Sequence, residues 1–222
     1  MRNKITFIAF LILEITLYPL ILKTGNMWIM FTSIVLCFLF SIMHIRTGDP
    51  YIPVALGFTV AADFFLVLCG SDWRVWGMAF FLCVQSVYAI RLQRRKPSRP
   101  FLFIRIILSI LSIILCITIL GKSTDILAII SIGYYANLLI SIIEGYAQFR
   151  NNRWFPIGMT LFLLCDTVIG LQALFSGYLT VSLPPVLASI LYPNFNLAWL
   201  FYLPSQVILS LSTILGDKKE EV

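Results

Sequence analysis

Pro53-Val-Ala-Leu-Gly-Phe-Thr-Val-Ala-Ala-Asp-Phe-Phe-Leu66 carries one formal charge, Asp63, in a run otherwise apolar enough to sit in lipid. A second run, Pro156-Ile-Gly-Met-Thr-Leu-Phe-Leu-Leu-Cys-Asp-Thr-Val-Ile169, has the same outline around Asp166. Both set an Asp ten residues after a Pro, with an aromatic residue, Tyr51 or Trp154, two positions before the proline. As helices these runs place each carboxylate about 15 Å past its proline, half the thickness of a hydrocarbon core. An acid at that depth has to be hidden from lipid inside a bundle, and it is a functional candidate by default.

The rest of the chain fits a bundle of that kind. Its 222 residues are 60% hydrophobic and 12% charged, with a mean hydropathy of +0.95. That is far too apolar for a soluble domain and marks an integral membrane protein. Apolar runs between charge clusters give eight spans, at 5–22, 27–45, 51–70, 74–91, 101–120, 125–146, 155–176 and 196–215. The alternating pattern of a membrane barrel is absent, so the fold class is an all-α membrane protein.

With a cytoplasmic N-terminus, thirteen basic residues fall in inside segments: Arg2, Lys4, Arg46, Arg91, Arg94, Arg95, Lys96, Arg99, Arg105, Arg150, Arg153, Lys218 and Lys219. Only Lys23, Arg74 and Lys122 fall outside. This asymmetry predicts eight spans with both termini in the cytoplasm of a cell-membrane protein. It also accounts for the net charge of +6 without nucleic acid as a partner. The basic run from Arg91 to Arg105 reads as a topology determinant.

Met1 to Leu22 has a basic start and an apolar run, but no small-x-small cleavage site follows. Tyr18-Pro19 with Lys23 therefore reads as the end of a retained first span. Glu14, about mid-bilayer in that span, is a secondary site candidate, with a protonated structural Glu as the alternative. The second span, 27–45, looks structural. Arg46-Thr-Gly-Asp-Pro50 is a tight turn. In the fourth span Gln85 and Tyr88 stand three apart and share a helical face.

Pro97 to Pro100 divides the single polytopic domain into halves 1–97 and 98–222, too closely joined to be separate domains. In the sixth span Tyr135 and Asn137 lie near the midplane, while Glu144 is a solvated or salt-bridged end residue. Three prolines, Pro184, Pro185 and Pro193, turn 177–196 into an external or re-entrant loop. In the last span Pro204 should kink the helix and free a backbone carbonyl for another donor. The five cysteines all fall in spans without CxxC spacing and read as small buried hydrophobes. His44 is the one histidine, so neither a His/Cys zinc site nor a Ser-His-Asp triad is expected.

The third and seventh spans run in the same direction, which puts Asp63 and Asp166 at one depth. If the two helices face one cavity, spans one to four and five to eight are parallel repeats with the site at their interface. Two nearby carboxyls in a low-dielectric site do not ionise together, so the pair can hold an acid and a base at once. That serves hydrolysis and proton relay alike. The alternative is two structural acids, each bonded to a neighbouring helix.

Ala62-Asp63-Phe-Phe-Leu66, then Trp76-Gly77-Met-Ala-Phe80 and Tyr88, is similar to the Gly-Asp-x-x-Leu, Gly-x-x-x-Phe and Tyr pattern of the YhhN-like membrane proteins, the lysoplasmalogenase family. Leu164-Cys165-Asp166-Thr-Val-Ile169 with Trp199-x-x-Tyr202-x-x-x-Gln206 resembles that family's second Asp motif and its terminal Tyr and Gln segment. The resemblance covers spans three to eight. Many members have His where Gln85 stands, and Gly or Ser where Ala62 and Cys165 precede the acids. Gln cannot shuttle a proton, so that position shrinks here to hydrogen bonding.

The resemblance implies cleavage of the vinyl ether of a lysoplasmalogen to a fatty aldehyde and a glycerophospho-ethanolamine or -choline. Vinyl ethers hydrolyse by protonation of the β-carbon, an oxocarbenium ion, water addition and collapse of a hemiacetal. An acid beside a carboxylate suits that sequence, as in glycoside cleavage. Asp63 and Asp166 would share these roles, and Gln85, Tyr88, Tyr135, Asn137, Tyr202 and Gln206 would orient water and the glycerol oxygens. The expected partners are the lyso-phospholipid, water and membrane lipids, with no cofactor and no metal. Two rivals use the same residues: a proton-coupled transporter of a small molecule or lipid, and a non-catalytic lipid-binding protein.

Overall fold

The computed structural model describes residues 2–46, 48–148, 153–178 and 183–215. Among these residues every regular element is helical: α1 (Arg2–Thr24), α2 (Met27–Met43), α3 (Tyr51–Asp63), α4 (Arg74–Arg95), α5 (Arg99–Leu120), α6 (Ile126–Ala147), α7 (Trp154–Ala173), α8 (Pro185–Leu191) and α9 (Leu197–Leu215). Seven are long and apolar enough to cross a membrane, which makes this a multi-pass membrane protein. The sequence expectation of eight counts α2 as well. At 17 residues α2 is apolar but just shorter than those seven, among which α3 counts together with the helical turn that continues it to Leu68. Arg150, Thr47, Lys218, Lys219 and residues 179–182 of the loop lie outside the described residues.

Local chemistry sets the starts of these helices. Asn26 caps α2 by accepting from the N–H groups of Trp28 and Ile29, and Asp125 caps α6 through Ala128, each satisfying donors that a helix start leaves open. Pro100 opens α5, where a missing N–H costs nothing. Both acid-bearing helices end alike: α3 runs on into a π-helical turn at Phe64–Leu68, and α7 into another at Leu174–Tyr178. Between 177 and 196 the chain folds a short helix, α8, which starts at Pro185.

Six helices close a ring in which each packs on the next: α2, α3, α4, α6, α7, α9 and back to α2, with α3 also touching α9. Outside the ring α1 lies against α2 and α9, and α5 lies against α6. The outer surface is apolar, as lipid requires; Ile106, Ile107, Ile110, Leu111 and Ile114 of α5 are all exposed. The interior holds a continuous core running from Ile52 and Leu56 through Phe81, Tyr134 and Phe162 to Tyr202 and Leu209.

Pro204 behaves as its chemistry requires. It cannot donate to the carbonyl four residues earlier, and that carbonyl, Leu200 O, accepts instead from the Tyr18 hydroxyl of α1 at 2.9 Å. The basic run is less uniform than its sequence suggests. Arg91 is fully buried and donates from Nε to Asp49 at 2.6 Å. Arg105 is buried as well, with Nη2 3.1 Å from Glu144 Oε2 and Nη1 donating to Asn137 and Ser141. These two cations therefore tie helices together rather than solvate a loop. Both lie within two turns of a helix end, where hydropathy counting cannot distinguish an inward from an outward face. Glu144 takes the salt-bridged alternative, while Cys83 is exposed among cysteines expected to be buried.

Candidate active site

Asp63 is the last residue of α3 before the π turn, and it points inward with 3% exposure. Its position depends on a close crossing of α3 by α4. A Cβ on Gly77 would fall 2.4 Å from Leu66 Cγ and 3.1 Å from the Ala62 carbonyl, so only glycine lets the helices meet here. From α9, Tyr202 donates its hydroxyl to Asp63 Oδ2 at 2.6 Å. Asp166 is held in the same manner from another helix, with Tyr134 of α6 donating to its Oδ2 at 2.5 Å.

Phe162 stands between the two phenols, 5.6 Å from the Tyr202 ring and 6.4 Å from the Tyr134 ring. The Tyr202, Phe162 and Tyr134 rings thus join Asp63 to Asp166, with Cys165 buried next to the second acid in the chain. Asp63 and Asp166 each stand twelve residues beyond the first residue of their helices, Tyr51 and Trp154. The pair is not symmetric in access: Asp63 is enclosed, whereas Asp166 is half-buried.

Three further side chains expected at the site have polar atoms buried with no hydrogen-bond partner among the described residues: both amide atoms of Gln85, both of Gln206, and the Tyr88 hydroxyl. Buried polar atoms of this kind are costly unless a ligand or water meets them. Gln206 is one turn along α9 from Tyr202. Phe81, Gln85, Tyr88 and Leu92 share the buried face of α4, at the spacing of one helical stripe. That face ends at the fully buried Arg91, whose guanidinium lies 4.2 Å over the Phe155 ring.

Tyr135 and Asn137 turn elsewhere. Tyr135 shares a hydrogen bond with Thr167 at 2.9 Å, and the Asn137 amide donates to Ser109 and Gly133 while its oxygen accepts from Arg105. Counting residues gives a position along the helix; phase about the helix axis decides which side a residue faces. Tyr134, one position earlier, was not singled out from the sequence. It shares the stripe of Leu138, Ser141 and Gly145, whose small residues mark the packed face. Glu14 is 3% exposed but lies in the α1, α2 and α9 contact, where Cys37 Sγ donates to its Oε1 at 3.7 Å and Oε2 has no partner.

A closed ring of apolar helices with two acids inside it, each held by a phenol, defines a multi-pass membrane protein built around buried carboxylates. The chain belongs to the YhhN family, the lysoplasmalogenase family, whose model matches residues 20–213. That match takes in both Asp motifs and all of α2, and it leaves Glu14 outside. No curated protein and no solved structure matches the chain.

Proposed function

We propose that this protein hydrolyses the vinyl ether bond of lysoplasmalogens in the membrane, with Asp63 and Asp166 as its acid and base. The observation that carries this reading is the arrangement of the two acids, each held by a phenol from a different helix, with the Phe162 ring against both phenols. One carboxyl, protonated, gives its proton to the β-carbon of the alkenyl chain, and the α-carbon becomes an oxocarbenium carbon. The other, ionised, stabilises that cation and takes a proton from the water that adds to it. The hemiacetal then loses its hydroxyl proton to a carboxylate and expels the glycerol oxygen, which is reprotonated. Aldehyde and glycerophospho-alcohol leave, with one water consumed and the carboxyl pair restored.

Gln85 and Gln206 offer amide atoms free to hold the attacking water and the glycerol oxygens. We take the eight apolar helices as eight spans with both termini cytoplasmic, on the basic-residue count, and the two halves as parallel repeats. Exchanging α1, α2, α3 and α4 with α5, α6, α7 and α9 leaves the main packing partners in place: α1 on α2 matches α5 on α6, α2 on α3 matches α6 on α7, α3 on α4 matches α7 on α9, and α4 on α6 matches α9 on α2. The test is aldehyde release from a lysoplasmalogen by the purified protein. Asp63→Asn and Asp166→Asn should each lower kcat at least about a thousandfold, within the range that acid and base groups supply. Unchanged turnover in both variants would sink the two-acid mechanism.

A further inference from the structure

At the end of the bundle where α1 and α7 finish and α9 begins, a recess of about 570 Å³ opens among Lys23, Thr24, Gln172, Tyr192, Asn194 and Asn196. Two contacts hold its rim: Gln172 donates to the Leu191 carbonyl at 2.7 Å, and the Asn196 N–H donates to Leu22 O at 3.3 Å. Lys23 is exposed and forms no salt bridge among the described residues. The lining contains no carboxylate.

This recess lies directly beyond the carboxylates. Gln172 is six residues past Asp166 on α7 and Leu197 is five before Tyr202 on α9, so its floor is about 8–9 Å of helical rise away. In a lyso-ether phospholipid the phosphorus stands five bonds from the ether oxygen, about 6 Å when extended. A phosphate at the floor of the recess would therefore leave the ether oxygen about 2–3 Å short of the level of Asp63 and Asp166, a gap that the two bonds on to the alkenyl β-carbon cover.

We infer that the recess receives the phosphoglycerol head of the substrate, with the Lys23 ammonium facing the phosphodiester and the Asn194 amide facing the glycerol hydroxyl. This rests on the hydrolase reading for its substrate but not for its test. With no acid in the lining, the recess selects the phosphate and not the amine, so choline and ethanolamine heads bind alike.

The test measures binding rather than turnover, using a saturated 1-O-alkyl-glycerophosphocholine, which has no vinyl ether to cleave, and the matching 1-O-alkylglycerol, which has no phosphate. In Lys23→Gln the phospholipid Kd should rise about fivefold, as expected for one exposed ion pair, and its salt dependence should flatten. Lys23→Glu should weaken it further, while the alkylglycerol Kd stays unchanged in both and reports that the protein is folded. An unchanged phospholipid Kd, or an equal change for both ligands, overturns the assignment. If the ligand pair behaves as expected but the wild-type protein releases no aldehyde from a lysoplasmalogen, the recess stands and the hydrolase reading fails.

Discussion

Each of the two acids is held by one hydroxyl. Tyr202 and Tyr134 donate to Asp63 and Asp166, and a hydrogen bond to a charged group contributes about 1.5–3 kcal/mol. Tyr202→Phe and Tyr134→Phe should therefore each lower kcat for aldehyde release about 10- to 100-fold. Tyr135→Phe, which loses only a contact to Thr167, should leave kcat within about twofold, the size of an ordinary surface or side contact. A drop in Tyr135→Phe equal to that in Tyr134→Phe would show that the phenol on Asp166 has been misassigned. The distinction between neighbours 134 and 135 turns on about 100° of helical phase, which span counting does not resolve.

At the scale of elements, the turn between α2 and α3 is fastened to α4 by Asp49. Its carboxylate takes Arg91 and Arg95 and accepts from the Tyr51 N–H at 3.1 Å. Burial alone would raise the affinity of this carboxyl for its proton, but Arg91, the Tyr51 N–H and Arg95 outweigh burial and hold it below its ordinary value of 3.8. A depressed acid adds stability above its unfolded value and loses it as pH falls through the folded one. The melting temperature in detergent should therefore drop on acidification below about pH 3.8. In Asp49→Asn that acid step should be absent and the protein already less stable at neutral pH by about 3 kcal/mol, since the buried Arg91 loses its ion pair with this carboxylate. An unchanged acid step in the variant would rule out Asp49 as its source. Gly48 and Thr213 reinforce the same corner: the Asp49 N–H donates to Thr213 O at 3.2 Å, and a Cβ on Gly48 would meet that carbonyl at 2.2 Å.

For the whole molecule, the ring crosses between halves at α4 with α6, α2 with α9 and α3 with α9, and those seams bury Phe81 against Tyr134 and Asp63 against Tyr202. Residues 1–97 and 98–222, expressed together as separate chains, should copurify and retain aldehyde release, because the break falls in the exposed Pro97 turn. Failure of the fragments to associate would remove the reading of two repeats joined by a passive link. The amino-acid sequence alone determined the long apolar helices, their near boundaries and the equal placing of Asp63 and Asp166 along α3 and α7, because lipid forces long apolar runs into helices and helical rise converts residue number into distance along the axis. Only the tertiary structure decided which side of each helix faces the ring. It placed Tyr134 rather than Tyr135 on Asp166, took Asn137 to Arg105, buried Arg91 and Arg105 in ion pairs, and closed the six helices around the acids. Those outcomes depend on helix phase and on close crossings such as Gly77 against Leu66, where an apolar sequence looks the same on every face.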